Sequence, residues 1–211
     1  MLRLAQWLLP VVAYFLGTVL PGDYLVRWRT GRSSRDLGEN YGAAGTWRLI
    51  GPVYGVTVAI LDILKGFLPV FVARSLDLHP WVLWLTAVAP VAGHNWPLQR
   101  HFQGGRGLAA AIGVVLCLAP LPFILGLIPG VLVALRRRRT PWVGFVGLPV
   151  GLLLSLFMHV PPLFITATLA VALLLLIRQF QWYAVAERLA RWRARRASRR
   201  GPSAGSQPPV F

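Results

Sequence analysis

Seven apolar runs, set apart by short arginine-bearing loops and by proline pairs, decide what this chain can fold into. They lie at about 4–26, 49–73, 81–98, 108–118, 123–135, 142–158 and 163–177. A helix crossing a bilayer needs about 20 predominantly apolar residues, fewer than several of these runs supply. The total still exceeds any soluble core: 56% of the 211 residues are hydrophobic and 13% are charged. The pattern predicts an all-α integral membrane protein of about seven transmembrane helices, the middle pair short.

Proline and arginine placement support that count independently. Pro120 and Pro122 break the text between 108–118 and 123–135, and one helix running through both would be costly. With the N-terminus outside, the inner segments hold 19 of the 22 basic residues: 27–48, 99–107, 136–140 and the tail from Arg178. That asymmetry is the positive-inside pattern, so the expected topology is N-out, C-in. A six-helix chain would merge the middle pair and put Arg136 to Arg139 outside.

The polytopic part is expected to occupy 1–178. Arg3 followed by an apolar run resembles a signal peptide, but the run reaches Val26 without a small-residue cleavage site, so a retained first helix is expected. Segment 179–200 mixes Trp182, Tyr183, Val185, Leu189 and Trp192 with arginines, which predicts a basic amphipathic helix at the membrane interface. Residues 201–211, rich in Pro, Ser and Gly, read as a disordered tail. A net charge of +16 could indicate nucleic acid, but arginines in short loops between apolar runs point to anionic membrane lipids instead. The single Cys117 rules out an intrachain disulfide.

The chemically suggestive residues gather on the predicted inner side. Gly104-Gly105-Arg106-Gly107 is a cationic glycine loop, where backbone N–H groups can approach an anion and arginine can grip it. The first inner loop carries Glu39, Asn40, Gly42 and Arg48 among further glycines. Asp62 and Lys65 stand at i and i+3 in an apolar run, a costly pair that marks either a functional site or an internal salt bridge. His94 precedes the glycine loop, and a lone histidine there is either a hydrogen-bonded packing residue or a site residue. Neither a zinc motif nor a nucleophile elbow or P-loop is present. Glycines can also serve close helix packing in lipid, which accounts for Gly126 and Gly130.

Three segments together resemble the bacterial acyl-phosphate:glycerol-3-phosphate acyltransferases, the PlsY family. Gly38, Asn40, Gly42, Ala43 and Arg48 match its first inner-loop motif. Asp62-Ile63-Leu64-Lys65-Gly66 matches D-x-x-K-G, and Gly93-His94, Pro97 and Phe102 to Gly107 match G-H-x-x-P with its glycine loop. The match covers about residues 17 to 116 in order.

The resemblance implies transfer of a fatty acyl group from acyl phosphate to the 1-hydroxyl of glycerol 3-phosphate, giving lysophosphatidic acid. It further implies a multi-pass protein of the bacterial inner membrane with its site facing the cytoplasm. No cofactor and no obligate protein partner are expected. Arg48, Lys65 and Arg106 are the catalytic cations it suggests. Asn40, Gly42, Asp62, His94, Gly104, Gly105 and Gly107 are the expected substrate-binding residues, the glycines by offering backbone access. The chain departs from the family pattern at Glu39, which stands in place of a motif serine, and in lacking a late H-x-x-N element. Glu39 would repel phosphate unless an arginine such as Arg35 neutralised it. The alternative reading is a catalytically impaired homologue that binds phosphate or lipid head groups.

Overall fold

Prolines set the helix starts. In the computed structural model, which describes the backbone of residues 2–199 and the side chains of residues 4–184, proline is the first residue of five helices. These are α3 (Pro21–Thr30), α5 (Pro52–Ser75), α6 (Pro80–Asn95), α8 (Pro120–Arg137) and α10 (Pro162–Arg199). The first turn has no intrahelical partner for its N–H groups, so the missing donor costs nothing there. The remaining elements are α1 (Leu2–Ala5), α2 (Leu8–Thr18), α4 (Ala43–Ile50), a 3-10 turn at Leu98–Arg100, α7 (Leu108–Leu118) and α9 (Trp142–Phe157). All regular structure among the described residues is helical. α7 stops before Pro120, as expected.

Four helical stretches are long and apolar enough to cross a membrane: Leu8–Thr30, Pro52–Ser75, Pro120–Arg137 and Pro162–Ala184. Leu108–Leu118 and Trp142–Phe157 are apolar but shorter. The first differs from the single helix expected over 4–26. It is interrupted at Val19 and Leu20, whose backbone leaves the helical region (Leu20 φ −113°, ψ 82°). A residue before proline is pushed out of the α region, and Leu20 precedes Pro21. The first inner loop also differs, since its second half folds into α4.

The chain forms two compact units, Met1–Leu175 and Leu176–Phe211. In the first, the core is built of small residues, among them Ala73, Ala87, Val91, Ala110, Val114 and Ala167, all at or near zero exposure. Glycines let the helices approach so closely. A Cβ on Gly66 of α5 would lie 2.0 Å from the Ala110 carbonyl oxygen of α7, and one on Gly113 of α7 would lie 2.0 Å from that of Ile63. In α8, Gly126 and Gly130 lie against the α9 backbone in the same way, which is the packing role expected of them. The second unit is helical through Arg199, because α10 runs from the apolar stretch into the arginine-rich one without a break. Segment 179–200 therefore starts inside a helix. The side chains of Val185, Leu189 and Trp192, and the tail at 201–211, lie outside the described residues.

Candidate active site

The site is assembled where α6 ends. His94 and Asn95 close that helix, Pro97 to Phe102 form a tight turn, and the glycine loop folds back onto the helix end. The Gly105 N–H donates to the His94 carbonyl at 2.9 Å and the Gly104 N–H to the Asn95 carbonyl at 3.2 Å. These amides satisfy helix-end acceptors, so backbone access for substrate is not what Gly104 and Gly105 chiefly supply. They supply closeness. A Cβ on Gly105 would sit 2.1 Å from His94 Nε2, and one on Gly104 would sit 2.1 Å from the His94 carbonyl oxygen. Gly107 takes a left-handed backbone (φ 70°) at the cap of α7, against the Asn95 side chain.

Beneath His94 lies the buried pair from α5. Lys65 Nζ is 2.8 Å from Asp62 Oδ1, and His94 Nδ1 is 3.6 Å from the same oxygen, all three side chains being almost fully enclosed. Lys65 also donates to the Val19 carbonyl at 2.7 Å, across to the interruption that Pro21 creates in the first span. The lysine therefore ties α5 to the break in the first span. Asp62 thus faces one ring nitrogen of His94, and at the other only a glycine fits.

The first inner loop brings a second group. Asn40 accepts the Gly42 N–H at 3.3 Å, a turn that leads into α4, and the Gly42 carbonyl accepts the first amides of that helix. α4 carries Arg48, whose Nε and one terminal nitrogen meet the two Glu39 oxygens at 2.7 and 2.6 Å. The bidentate bond with Arg48 draws the Glu39 carboxyl below the usual carboxylate range, with the charge of Arg106 adding to it. The same bond raises the Arg48 guanidinium. Arg48, not Arg35, thus neutralises Glu39; Arg35 instead donates to Gln103 Oε1, tying the first loop to the second. Arg48 was closer to hand because Glu39 directly precedes the turn that opens its helix.

Asp23 is the residue that sequence reasoning missed. It is wholly buried in α3 and accepts from Ser33 Oγ (2.8 Å), the Ser34 N–H (2.9 Å), Arg27 Nε (2.8 Å) and Arg100 (2.6 Å). The Arg100 guanidinium also lies over the rings of Tyr24 and Tyr41, at 5.6 and 5.4 Å. Burial pulls its pKa down, but the hydrogen bond and charge of Asp23, with Tyr24 and Tyr41, together outweigh that and the net shift is upward. One carboxylate thereby locks α3, the first inner loop and the turn before the glycine loop. The signal was available, since a carboxylate inside an apolar run is expensive and needs partners. Among the described residues no group of three or more His, Cys, Asp or Glu could hold a metal ion.

Paired cations around a helix-end loop, over a buried carboxylate, lysine and histidine in an apolar helical frame, define a membrane protein equipped to bind anionic groups. The family model for glycerol-3-phosphate acyltransferase matches residues 7–190, and the chain belongs to that family. A glycerol-3-phosphate acyltransferase of Thermotoga petrophila is 42% identical over 115 residues, which is 54% of this chain and 58% of that protein. The chain thus spans less than two thirds of the length of that relative. One from Listeria monocytogenes serotype 4a is 33% identical over 156 residues, 72% of this chain and 78% of the relative. Among solved structures, the fold is similar to PlsY (YgiH), an integral membrane glycerol 3-phosphate acyltransferase. Its glycerol 3-phosphate form superposes with a TM-score of 0.78 at 29% identity, covering 90% of this chain and 94% of the other. The lysophosphatidic acid form gives 0.72 at 28% identity.

Proposed function

We propose that this protein transfers a fatty acyl group from an acyl phosphate to glycerol 3-phosphate, forming lysophosphatidic acid for phospholipid synthesis. The acyl carbon's bond to the phosphate oxygen breaks, a new ester forms at the 1-hydroxyl, and the hydroxyl proton leaves with the departing phosphate. No separate general base is then needed. The observation that carries the reading is the Arg48–Glu39 pair with the charge of Arg106 acting on it, in a chain of this family.

Both substrates bring a phosphate, and the carbonyl oxygen gains negative charge in the transition state, so preorganised cations supply the main stabilisation. Arg106 and Arg48 are the cations facing substrate. Lys65 acts from below, through Asp62 and His94. Asn40 and Gly42 shape the entry to α4, while Gly104, Gly105 and Gly107 hold the loop against the histidine. The protein crosses the inner membrane seven times, N-terminus outside and C-terminus inside, with the site facing the cytoplasm. The shorter helices α6, α7 and α9 provide the three crossings beyond the four long ones, and the clustering of arginine on one side supports the orientation.

A second reading has one specific observation in its favour: Glu39 already occupies the Nε edge of Arg48, one of the two bidentate edges that a phosphate could use. On that reading the chain binds phosphate or lipid head groups without turnover. Replacing Glu39 separates the two. Acyl transfer from palmitoyl phosphate that continues in Glu39→Gln, with a lower KM for glycerol 3-phosphate, supports the enzyme, whereas wild-type binding without transfer supports the second reading.

A further inference from the structure

The two loops that carry Arg48 and Arg106 are built into separate blocks of the first unit. Arg48 belongs with α3, the first inner loop and α4. Gly22 of α3 admits the Tyr41 carbonyl so closely that a Cβ there would lie 2.2 Å from its oxygen, and the Ser33 hydroxyl and Ser34 N–H both donate to Asp23. Arg106 belongs with the end of α6, whose carbonyls hold the Gly104 and Gly105 amides. Arg100 crosses between the blocks. It ends the 3-10 turn, its side chain is 21% exposed, and its guanidinium meets the wholly buried Asp23 carboxylate at 2.6 Å, with the Tyr24 and Tyr41 rings at 5.6 and 5.4 Å. Arg35, bonded to Gln103, crosses as well, but both groups are exposed and water competes for them. From Arg100 the chain reaches Arg106 through a strained turn. His101 (φ 49°) and Phe102 (φ 60°) are both left-handed, a conformation that residues other than glycine resist. Such backbone persists only where its surroundings hold it. Beyond the strain, Gly104 and Gly105 are bonded to α6; before it, the Arg100 N–H bonds the Pro97 carbonyl within the turn, and the Arg100 side chain holds the turn to α3.

We infer that Arg100 is a positioning residue for acyl transfer: gripped by Asp23 and by the Tyr24 and Tyr41 rings, it sets the placement of Arg106 in one block relative to Arg48 in the other. The inference rests on the acyl-transfer reading. Two phosphate-bearing substrates must be held together with the hydroxyl of one against the acyl carbon of the other, and a misplacement of about 1 Å can cost about a hundredfold in rate. The charge of Arg106 reaches Glu39, the partner of Arg48, so the two blocks act on one region. Without Arg100 each cation stays in its own loop and each substrate still binds. The turn then relaxes from its left-handed backbone and carries Arg106 out of register. The loss therefore falls on kcat and largely spares KM. Arg27 supplies the control. It donates to the same Asp23 oxygen at 2.8 Å, but from within α3 and four residues along, so its removal takes a comparable bond from the carboxylate without touching the second loop.

The test is the split between kcat and KM for palmitoyl phosphate and glycerol 3-phosphate, measured on purified protein with kcat normalised to the glycerol 3-phosphate binding stoichiometry of each preparation, so that a smaller folded fraction does not register as a slower enzyme. Arg100→Leu should lower kcat at least tenfold, with both KM values within threefold of wild type. Arg27→Leu should stay within twofold in all three. Arg100→Lys, which keeps a charge for Asp23 and gives up the flat contact with the rings, should restore kcat at least threefold over Arg100→Leu. If the leucine variant does not fold, Arg100→Gln should show the same split with kcat lowered at least threefold. A wild-type kcat in the Arg100 variants, equal losses in the Arg27 and Arg100 variants, a rise in KM that accounts for the loss, or a lysine variant no better than the leucine one would overturn the inference and leave Arg100 a purely structural tie. Absence of transfer by the wild type would instead refute the reading on which it rests.

Discussion

At the scale of single residues, the charges around the loops are arranged in pairs that a phosphate can join or displace. Arg106→Ala should lower kcat/KM for acyl transfer by about a hundredfold, the usual loss when one preorganised donor to a developing oxyanion is removed. Arg106→Lys, which keeps the charge, should recover most of it. Glu39 gives a prediction with a definite sign. Its folded-state pKa is lowered, so the pair with Arg48 contributes stability above the unfolded value of about 4.3 and loses it as pH falls through the folded one. The melting temperature of wild type should exceed that of Glu39→Gln near pH 7, and the gap should close as the pH is lowered below the ordinary carboxylate range. Because Arg48 is half exposed, the effect stays under about 1 kcal/mol and shrinks with salt. Arg48 and Arg106 stood out in the sequence because each lies among glycines. That Glu39 would be held by Arg48 was not legible there, since it depends on the turn at Asn40 placing α4 beside it.

At the scale of elements, two buried carboxylates tie the loops to the helices. Asp62 could be picked from the sequence by its spacing to Lys65, but its contact with His94 joins α5 to α6 and has no local signature. Asp23 looked like part of a helix end, and its partners come from residues 27, 33, 34 and 100. Asp23→Ala should destabilise the protein by about 3 kcal/mol, because Arg100 and three further donors lose their acceptor together. Thermal melting in detergent measures this directly. Gly105→Ala should cost about 1–3 kcal/mol by the same measurement, since its methyl group would fall on the His94 ring. Its kcat should fall as well. The interruption of the first span was written in Pro21, yet hydropathy alone joined 4–26 into one helix. The carbonyl freed there is the one that Lys65 caps.

At the scale of the whole molecule, the all-helical membrane architecture was legible because apolar runs, prolines and arginines repeat along the entire chain. The short helices were less so, since length alone does not tell a tilted crossing from a buried segment. Single cysteines introduced at Arg32 and Asp77, in a Cys117→Ala background, test the orientation in intact cells. A membrane-impermeant thiol reagent should label the second and not the first. The family could be read from the order of three motifs. The most direct measurement of the central claim is phosphate release from palmitoyl phosphate by the purified protein. Release that requires glycerol 3-phosphate and yields one lysophosphatidic acid per phosphate is the expected result. Release independent of glycerol 3-phosphate, or binding of both substrates with no release, would contradict it.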